Sequence, residues 1–273
     1  MKKFYSSIVS FVFTAAVLPA LTGCSEPKPG FIIGPSPAPA PASETYTPPV
    51  IKPALHYTAG ESVKGRSIKY SVIGEGPDVV LVISTIHGNE NAGTPIARTL
   101  LRYLEDNRQI LEGRKVVVLP IANPDGYFRN KRGNSRGVDL NRNFAAANRI
   151  NNSKNGPKAL SEPEARVIKS LISRYKPARI ITFHEPLNCI DYDGPARALA
   201  QSMGRYTKLP VKKLGGRPGS LGSYAGTTLG IPTITVELTP QAKNLSTDQL
   251  WDKYGKMTLS AITYPYSPPT LAK

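Results

Sequence analysis

His87-Gly-Asn-Glu90 sets an imidazole and a carboxylate three positions apart, directly after the apolar run Val79-Val-Leu-Val-Ile-Ser84. On a turn that follows a strand, two such groups can converge on one cation. The chain holds three histidines, and a second, His184, ends another apolar run, Arg179-Ile-Ile-Thr-Phe183. Two histidines and a glutamate leave one corner of a tetrahedral zinc ion open to water, the pattern of catalytic rather than closed structural sites. Water on zinc is a nucleophile near neutral pH, so the chemistry within reach is hydrolysis. Glu237 ends a third run, Ile231-Pro-Thr-Ile-Thr-Val236. Cys189 lies five residues after His184, but the ligand set is complete without it and a lone cysteine is mostly a small buried hydrophobe.

These residues need a frame that brings distant strand ends together. The run 79–84 is too short and too β-branched for a helix and reads as a buried strand, as do 115–120, 179–183 and 231–237. Residues 66–72 alternate as a half-exposed strand. A helix over 94–105 puts Ile96, Leu100, Leu101 and Leu104 on one face. Asn123-Pro-Asp-Gly126 is a turn signal. Ser161-Glu-Pro-Glu164 reads as a capping box opening a helix to about residue 175. Further helices are expected near 195–206 and from Ser246-Thr-Asp248 to about 264. Strands alternating with helices predict an α/β fold, a largely parallel sheet covered on both faces. In such sheets ligands bind beyond the carboxyl ends of the strands, where His87, Glu90, His184 and Glu237 all fall.

Residues 1–23 do not belong to that fold. Lys2 and Lys3 precede an apolar stretch over 8–20 and then small residues, the form of a secretory signal. Leu21-Thr22-Gly23-Cys24 resembles a bacterial lipobox, which makes Cys24 the expected lipidated N-terminus and membrane anchor. Because Ser25 follows it, the resemblance implies the periplasmic face of the outer membrane if the host is Gram-negative. Nine prolines between Ser25 and Pro53 predict a stiff tether over 24–54, reaching up to roughly 90 Å at ~3.1 Å per residue. A catalytic domain over 55–273 follows. With only Cys24 and Cys189 available, lipidation of one leaves no intrachain disulfide. The formal charge of +16 falls to +14 when Lys2 and Lys3 leave with the signal. Such an excess suits anionic lipid head groups or acidic wall peptides. Nucleic acid is not expected as a partner, since the basic residues form no helix or aromatic-interleaved stripe and the chain is exported. Nothing in the sequence specifies an oligomeric state.

His87-x-x-Glu90, Asn123-Pro-Asp-Gly126, Gly137-Val-Asp-Leu-Asn-Arg142-Asn-Phe144, His184 and Glu237 in Thr-Val-Glu-Leu resemble, in that order, the zinc carboxypeptidases. The resemblance runs from about residue 65 to 240 and implies a mixed, largely parallel sheet of about eight strands flanked by helices. It implies one zinc ion on His87, Glu90 and His184, with Glu237 as the acid that takes the water proton and passes it to the leaving amine. Asn141 and Arg142 match the family pair that grips the free carboxylate beside the scissile bond. Arg132 best matches the arginine that stabilises the oxyanion, with Arg129 and Arg136 as rivals in the same loop. No tyrosine stands near Leu214-Gly-Gly-Arg217 where the family's substrate-capping tyrosine is expected, and Tyr224 has no assigned role. Thr182-Phe-His184-Glu-Pro-Leu-Asn-Cys-Ile-Asp191 and Arg217-Pro-Gly-Ser-Leu-Gly-Ser-Tyr224 look most like the members that cleave murein peptides between γ-D-glutamate and meso-diaminopimelate.

That substrate class carries both an ammonium and a carboxylate on the diaminopimelate side chain. Asp191 and Asp193, expected in a loop beyond His184, suit the ammonium; Arg217 suits the carboxylate, with Ser220 beside it. The same metal site serves a general carboxypeptidase acting on ordinary peptides, or a related zinc deacylase. A non-catalytic wall-binding lipoprotein would be expected to lack a ligand or the acid, and neither is missing.

Overall fold

Short β-branched runs become central strands when both of their faces can be covered, and that is the arrangement found in a computed structural model describing residues 52–269. The expected signal, Cys24 and nearly all of the expected tether lie outside the described residues. The strands are β1 (Leu55–Glu61), β2 (Ser67–Ile73), β3 (Asp78–Ser84), β4 (Arg114–Leu119), β5 (Arg179–His184), β6 (Cys189–Asp193), β7 (Val211–Lys212) and β8 (Thr233–Glu237). They form one sheet in the order β1-β2-β4-β3-β5-β8-β6-β7. β4, β3, β5 and β8 run parallel; β1 pairs antiparallel with β2, β2 with β4 and β6 with β8, while β7 runs parallel to β6. The parallel block aligns the ends of β3, β5 and β8 on one rim, with His184 opposite Glu237 in register.

Helices α1 (Gly93–Asp106), α4 (Arg197–Gly204) and α5 (Thr247–Thr263) cover one face and α3 (Pro163–Tyr175) the other. α1 buries Ile96, Ala97, Leu100 and Leu104, the larger of which contribute roughly 1.5–3 kcal/mol each. They meet Val80, Val82, Val116 and Val118 on the sheet. Opposite them, Ile168 and Leu171 of α3 close over Leu81, Ile83 and Ile180. Among the described residues no helix is long and apolar enough to cross a membrane.

The structure corrects three local expectations. Asn123-Pro-Asp-Gly126 is not a bare turn: it opens a short helix, α2 (Pro124–Arg129), because the Asn123 side chain accepts from Gly126 N and caps it. The box at 161–164 does not form, although α3 starts there. Glu162 and Glu164 are turned away to Asn134, and Ser161 Oγ donates to Glu162. Asp191 and Asp193 stand on β6, not in a loop. The edge strands β1 and β7 and a π-helical segment, Gly222–Thr228, are further elements that were not expected from the sequence. The reciprocal box at Ser246 and Gln249 does form and starts α5.

Candidate metal centre and catalytic pocket

The chain leaves β3 through Thr85, whose φ of 54° lies in the left-handed region that a β-branched residue seldom adopts. The kink is held by a hydroxyl chain, Thr85 Oγ1 to Thr94 Oγ1 at 2.7 Å and Thr94 Oγ1 to Pro120 O at 3.0 Å. Three residues on, Gly88 lets the turn lie against α2: a Cβ there would stand 2.0 Å from the carbonyl carbon of Gly126. The turn delivers His87 and Glu90 to His184 at the end of β5. Glu90 Oε2 lies 2.8 Å from Nδ1 of each histidine, and the two Nδ1 atoms are 3.1 Å apart. All three residues are buried, and their ligand atoms lie within 4.8 Å of one another.

Two imidazole nitrogens and a carboxylate oxygen facing one point form the donor set of a zinc site with an open position. The outer bonds agree. Asp139 Oδ1 lies 2.9 Å from His87 Nε2, which leaves Nδ1 as the nitrogen for the metal. Asp139 Oδ1 also accepts from Asn141 N at 2.9 Å, and Oδ2 from Arg132 Nε at 2.9 Å. Arg132 in turn donates to Glu90 Oε1 at 2.7 Å. Burial works against ionisation of Glu90 and Asp139, but the histidine hydrogen bonds outweigh it and hold both carboxyls well below the usual range. Asn141 lies with its amide 3.5 Å from His184 Nε2 and accepts from Leu221 N at 2.8 Å.

Every site residue expected from the sequence within residues 52–269 lines one cavity of about 300 Å³: His87, Glu90, His184, Glu237, Arg132, Asn141, Arg142, Asp191, Asp193, Arg217 and Ser220. Arg129 and Arg136 do not line it. Arg129 donates to Asn134 O at 2.7 Å, and Arg136 lies 3.4 Å from Glu162. Glu237 accepts from Leu187 N at 3.3 Å, and burial raises its pKa. The two acids of β6 differ in their partners. Asp191 Oδ1 accepts from Leu214 N at 2.8 Å and pins the rim. Asp193 is buried, and among the described residues no donor is recorded on its carboxylate. It fits only because Gly222 lacks a side chain, since a Cβ there would lie 2.0 Å from its Oδ2. Burial and the neighbouring Asp191 push Asp193 up to about 6, against the opposing charge of Lys213. Ser220 accepts from Ser223 N at 3.0 Å and braces the turn after the exposed Arg217. Tyr224 does not line the cavity; it stacks on Phe144 at 5.9 Å in the core. Leu187 and Leu214, both exposed, form the rim.

Three contributors were not assigned from the sequence. Asp139 joins the metal cluster to Arg132; its signal was the single acid inside the motif 137–144, three residues before Arg142. Asn134 is buried and fully satisfied. Its Oδ1 accepts from Arg136 N and Val138 N, and its Nδ2 donates to Glu162 at 2.7 Å and Glu164 at 3.1 Å. It fastens the loop that carries Arg132 to the start of α3. Glu185 accepts from Ala92 N at 2.8 Å and ties the end of β5 to the start of α1.

Residues 53–193 match the family model described as zinc carboxypeptidase. The chain is 35% identical over 192 residues to murein peptide amidase A of Escherichia coli (strain K12), covering 64% of this chain and 75% of that protein. It is 30% identical to the protein of the same name from Vibrio campbellii, covering 71% of this chain and 84% of that protein. Among solved structures, murein-tripeptide amidase from Escherichia coli O157 superposes with a TM-score of 0.60 at 29% identity, over 79% of this chain and 93% of that one. Carboxypeptidase A from Helicoverpa armigera shares the fold, with a TM-score of 0.63 at 23% identity, over 78% of this chain and 69% of that one.

Proposed function

This chain belongs to the zinc carboxypeptidase family and is a hydrolytic enzyme whose His87, Glu90 and His184 are placed to hold the metal, and from that premise we propose that it cleaves murein peptides between γ-D-glutamate and meso-diaminopimelate. The observation that carries the substrate reading is the charge pattern of the cavity. Beyond the metal ligands it offers a buried acid, Asp193, without a donor among the described residues, together with Arg142 and Arg217. A side chain ending in one ammonium and one carboxylate matches both signs; an ordinary apolar or basic side chain leaves one of them unmatched. The murein peptide amidases of Escherichia coli and Vibrio campbellii point the same way.

When bound, zinc polarises the scissile carbonyl and lowers the pKa of its water toward 7. The protein's own groups do the rest. Arg142, a planar fork suited to a carboxylate, and Asn141 hold the free α-carboxylate of the diaminopimelate and so place the peptide bond. Glu237 accepts the water proton and returns it to the leaving amine. Arg132 donates to the oxygen on which negative charge develops, a contribution of about 10² to 10³ in rate. Asp193 receives the side-chain ammonium, and Arg217 the distal carboxylate, at the mouth. The lipobox at Cys24 and the proline-rich segment place this domain, in our reading, on a lipid anchor and tether facing the cell wall.

The test is product analysis on L-Ala-γ-D-Glu-meso-diaminopimelate and on standard peptides, each with and without chelator. Release of diaminopimelate that stops with chelator supports the assignment; cleavage of the ordinary peptides alone removes it. Glu237→Gln should keep zinc and lose about 10² to 10⁴ in kcat, and full turnover in that variant excludes the proposed base.

A further inference from the structure

A second groove, of about 720 Å³, is lined by Asn188, Arg205, Tyr206, Lys208, Thr239 and Lys253 among others, and among the described residues no acid lines it. Its position follows from the topology. β6 runs against β8 and β7 runs with β6, so the segment entering β7, residues 205–210, lies on the rim where β5 and β8 end. Asn188 is one residue past Leu187, which lines the catalytic cavity. Thr239 is two past Glu237, so at ~3.3 Å per residue the groove begins about 7 Å beyond the catalytic acid.

The cations in it are available. Arg205, Lys208 and Lys253 are exposed, and none has a carboxylate within ion-pair distance among the described residues. A fourth, Lys256, holds its Nζ 5.2 Å over the ring of Tyr206 on the groove wall. Three positive charges in a concave channel, with hydroxyl and amide groups between them and a fourth charge held on the Tyr206 ring, favour carboxylates on a flexible strand. A flat anionic bilayer laid over this rim would cover the catalytic mouth, which opens on the same edge.

We infer that this groove is a secondary subsite for polymeric murein, taking the carboxylates of a neighbouring stem peptide while the scissile stem occupies the metal site. The inference rests on the murein reading above. A γ-linked glutamate leaves its α-carboxylate free and diaminopimelate adds more, so an intact wall presents such groups repeatedly and a free tripeptide does not. The groove therefore assigns the enzyme to trimming attached stems rather than to cleaving released fragments.

The test uses the full chain with Arg205→Ala, Lys208→Ala and Lys253→Ala combined, none of them in the catalytic cavity. Co-sedimentation with insoluble murein, co-flotation with phosphatidylglycerol vesicles and kcat/KM on the free tripeptide are measured together. The expected result is wild-type tripeptide turnover within twofold and an about tenfold loss of murein binding, from three exposed contacts of a few-fold each. Added salt should erase the wild-type advantage. Unchanged murein binding, an equal loss on the tripeptide, or a loss confined to the vesicles overturns the inference. Failure of the wild type to cleave the tripeptide at all would instead strike the murein reading itself.

Discussion

Asp139→Asn probes the junction on which both the metal cluster and Arg132 depend. The carboxylate makes three contacts at 2.9 Å, to His87 Nε2, Asn141 N and Arg132 Nε. An asparagine keeps the shape but has one accepting oxygen and an NH₂ that can only donate. With the oxygen toward His87, the NH₂ meets the Nε–H of Arg132 and displaces the guanidinium from above the cluster. With the oxygen toward Arg132, the NH₂ meets His87 Nε2 and drives the ring proton onto Nδ1, the nitrogen the metal needs. Either way one charge-assisted bond of about 1.5–3 kcal/mol is lost. At about 1.4 kcal/mol per decade that is roughly a 10- to 150-fold effect, in line with the 10- to 100-fold typical of outer partners of metal ligands. The expected outcome is a zinc dissociation constant raised about 10- to 100-fold, measured by competition with a chromophoric chelator. Turnover should be restored only in part by excess zinc, because Arg132 stays loose. Zinc affinity and kcat/KM both within twofold of wild type, in a variant with an unchanged melting temperature, would refute the reasoning.

Two further outcomes follow from buried acids. Asp193, raised to about 6 by burial and by Asp191, is largely neutral below that pH and cannot balance an ammonium. The ratio of kcat/KM for the diaminopimelate substrate to that for an analogue lacking the side-chain ammonium should therefore fall as pH drops through about 6. In Asp193→Asn the ratio should be low and flat; a pH-dependent ratio in that variant would clear Asp193. The stability sign is opposite. A raised carboxyl favours the fold below its unfolded value and loses that contribution as pH rises through the folded value, so Asp193→Asn should melt higher than wild type at pH 8 and not at pH 4. Asn134→Ala removes the donor shared by Glu162 and Glu164. Two buried acceptors at about 1–3 kcal/mol each predict a loss near 3 kcal/mol, or roughly 6–12 °C in Tm for a domain of this size. At temperatures where the variant is folded, kcat should fall more than KM rises, since the loop of Arg132 loses its fastening; a change in KM alone would assign Asn134 to substrate binding instead.

The parallel centre of the sheet was legible because β3, β5 and β8 are short β-branched runs with no alternative partner for a helix, and each carries a site residue at its carboxyl end. The edges were not. β7 has two residues, too few for any period, and β1, although Leu55, Tyr57 and Ala59 alternate with more polar residues, leaves Leu55 and Tyr57 exposed, so its period marks no buried face. Among site residues, His87, Glu90 and His184 could be found from type and position, because few histidines leave few combinations. Asp191 and Asp193 were placed beside the metal but not on a strand. Their alternation with Ile190 and Tyr192 is a strand period interrupted by charge, and acids in a buried strand carry a penalty that only the cavity beside them explains. The carboxylates at 162 and 164 misled for a related reason: a capping box and an anchor for a distant asparagine look the same in one dimension.

The chain carries 35 basic residues against 19 acids. Yet of the 19 in the sequence, Glu90, Asp125, Asp139, Glu162, Glu164, Glu185, Asp191 and Asp193 cluster in or behind the catalytic rim. Most of them hold something in place. Asp125 takes Ser62 Oγ, Lys64 N and Arg66 and fixes the β1–β2 turn against α2. Glu162 and Glu164 hold Asn134, Asp139 holds Arg132, and Glu185 holds the start of α1. Basic residues that must act on a substrate carboxylate or an oxyanion cannot be allowed free rotamers, and in a domain this positive their mutual repulsion works against order. Buried acids counter that repulsion locally and convert flexible arginines into fixed donors. Asp193 is the exception, buried with no donor on it among the described residues, and a carboxylate kept at that cost inside a catalytic cavity is best accounted for by a cation that arrives with the substrate.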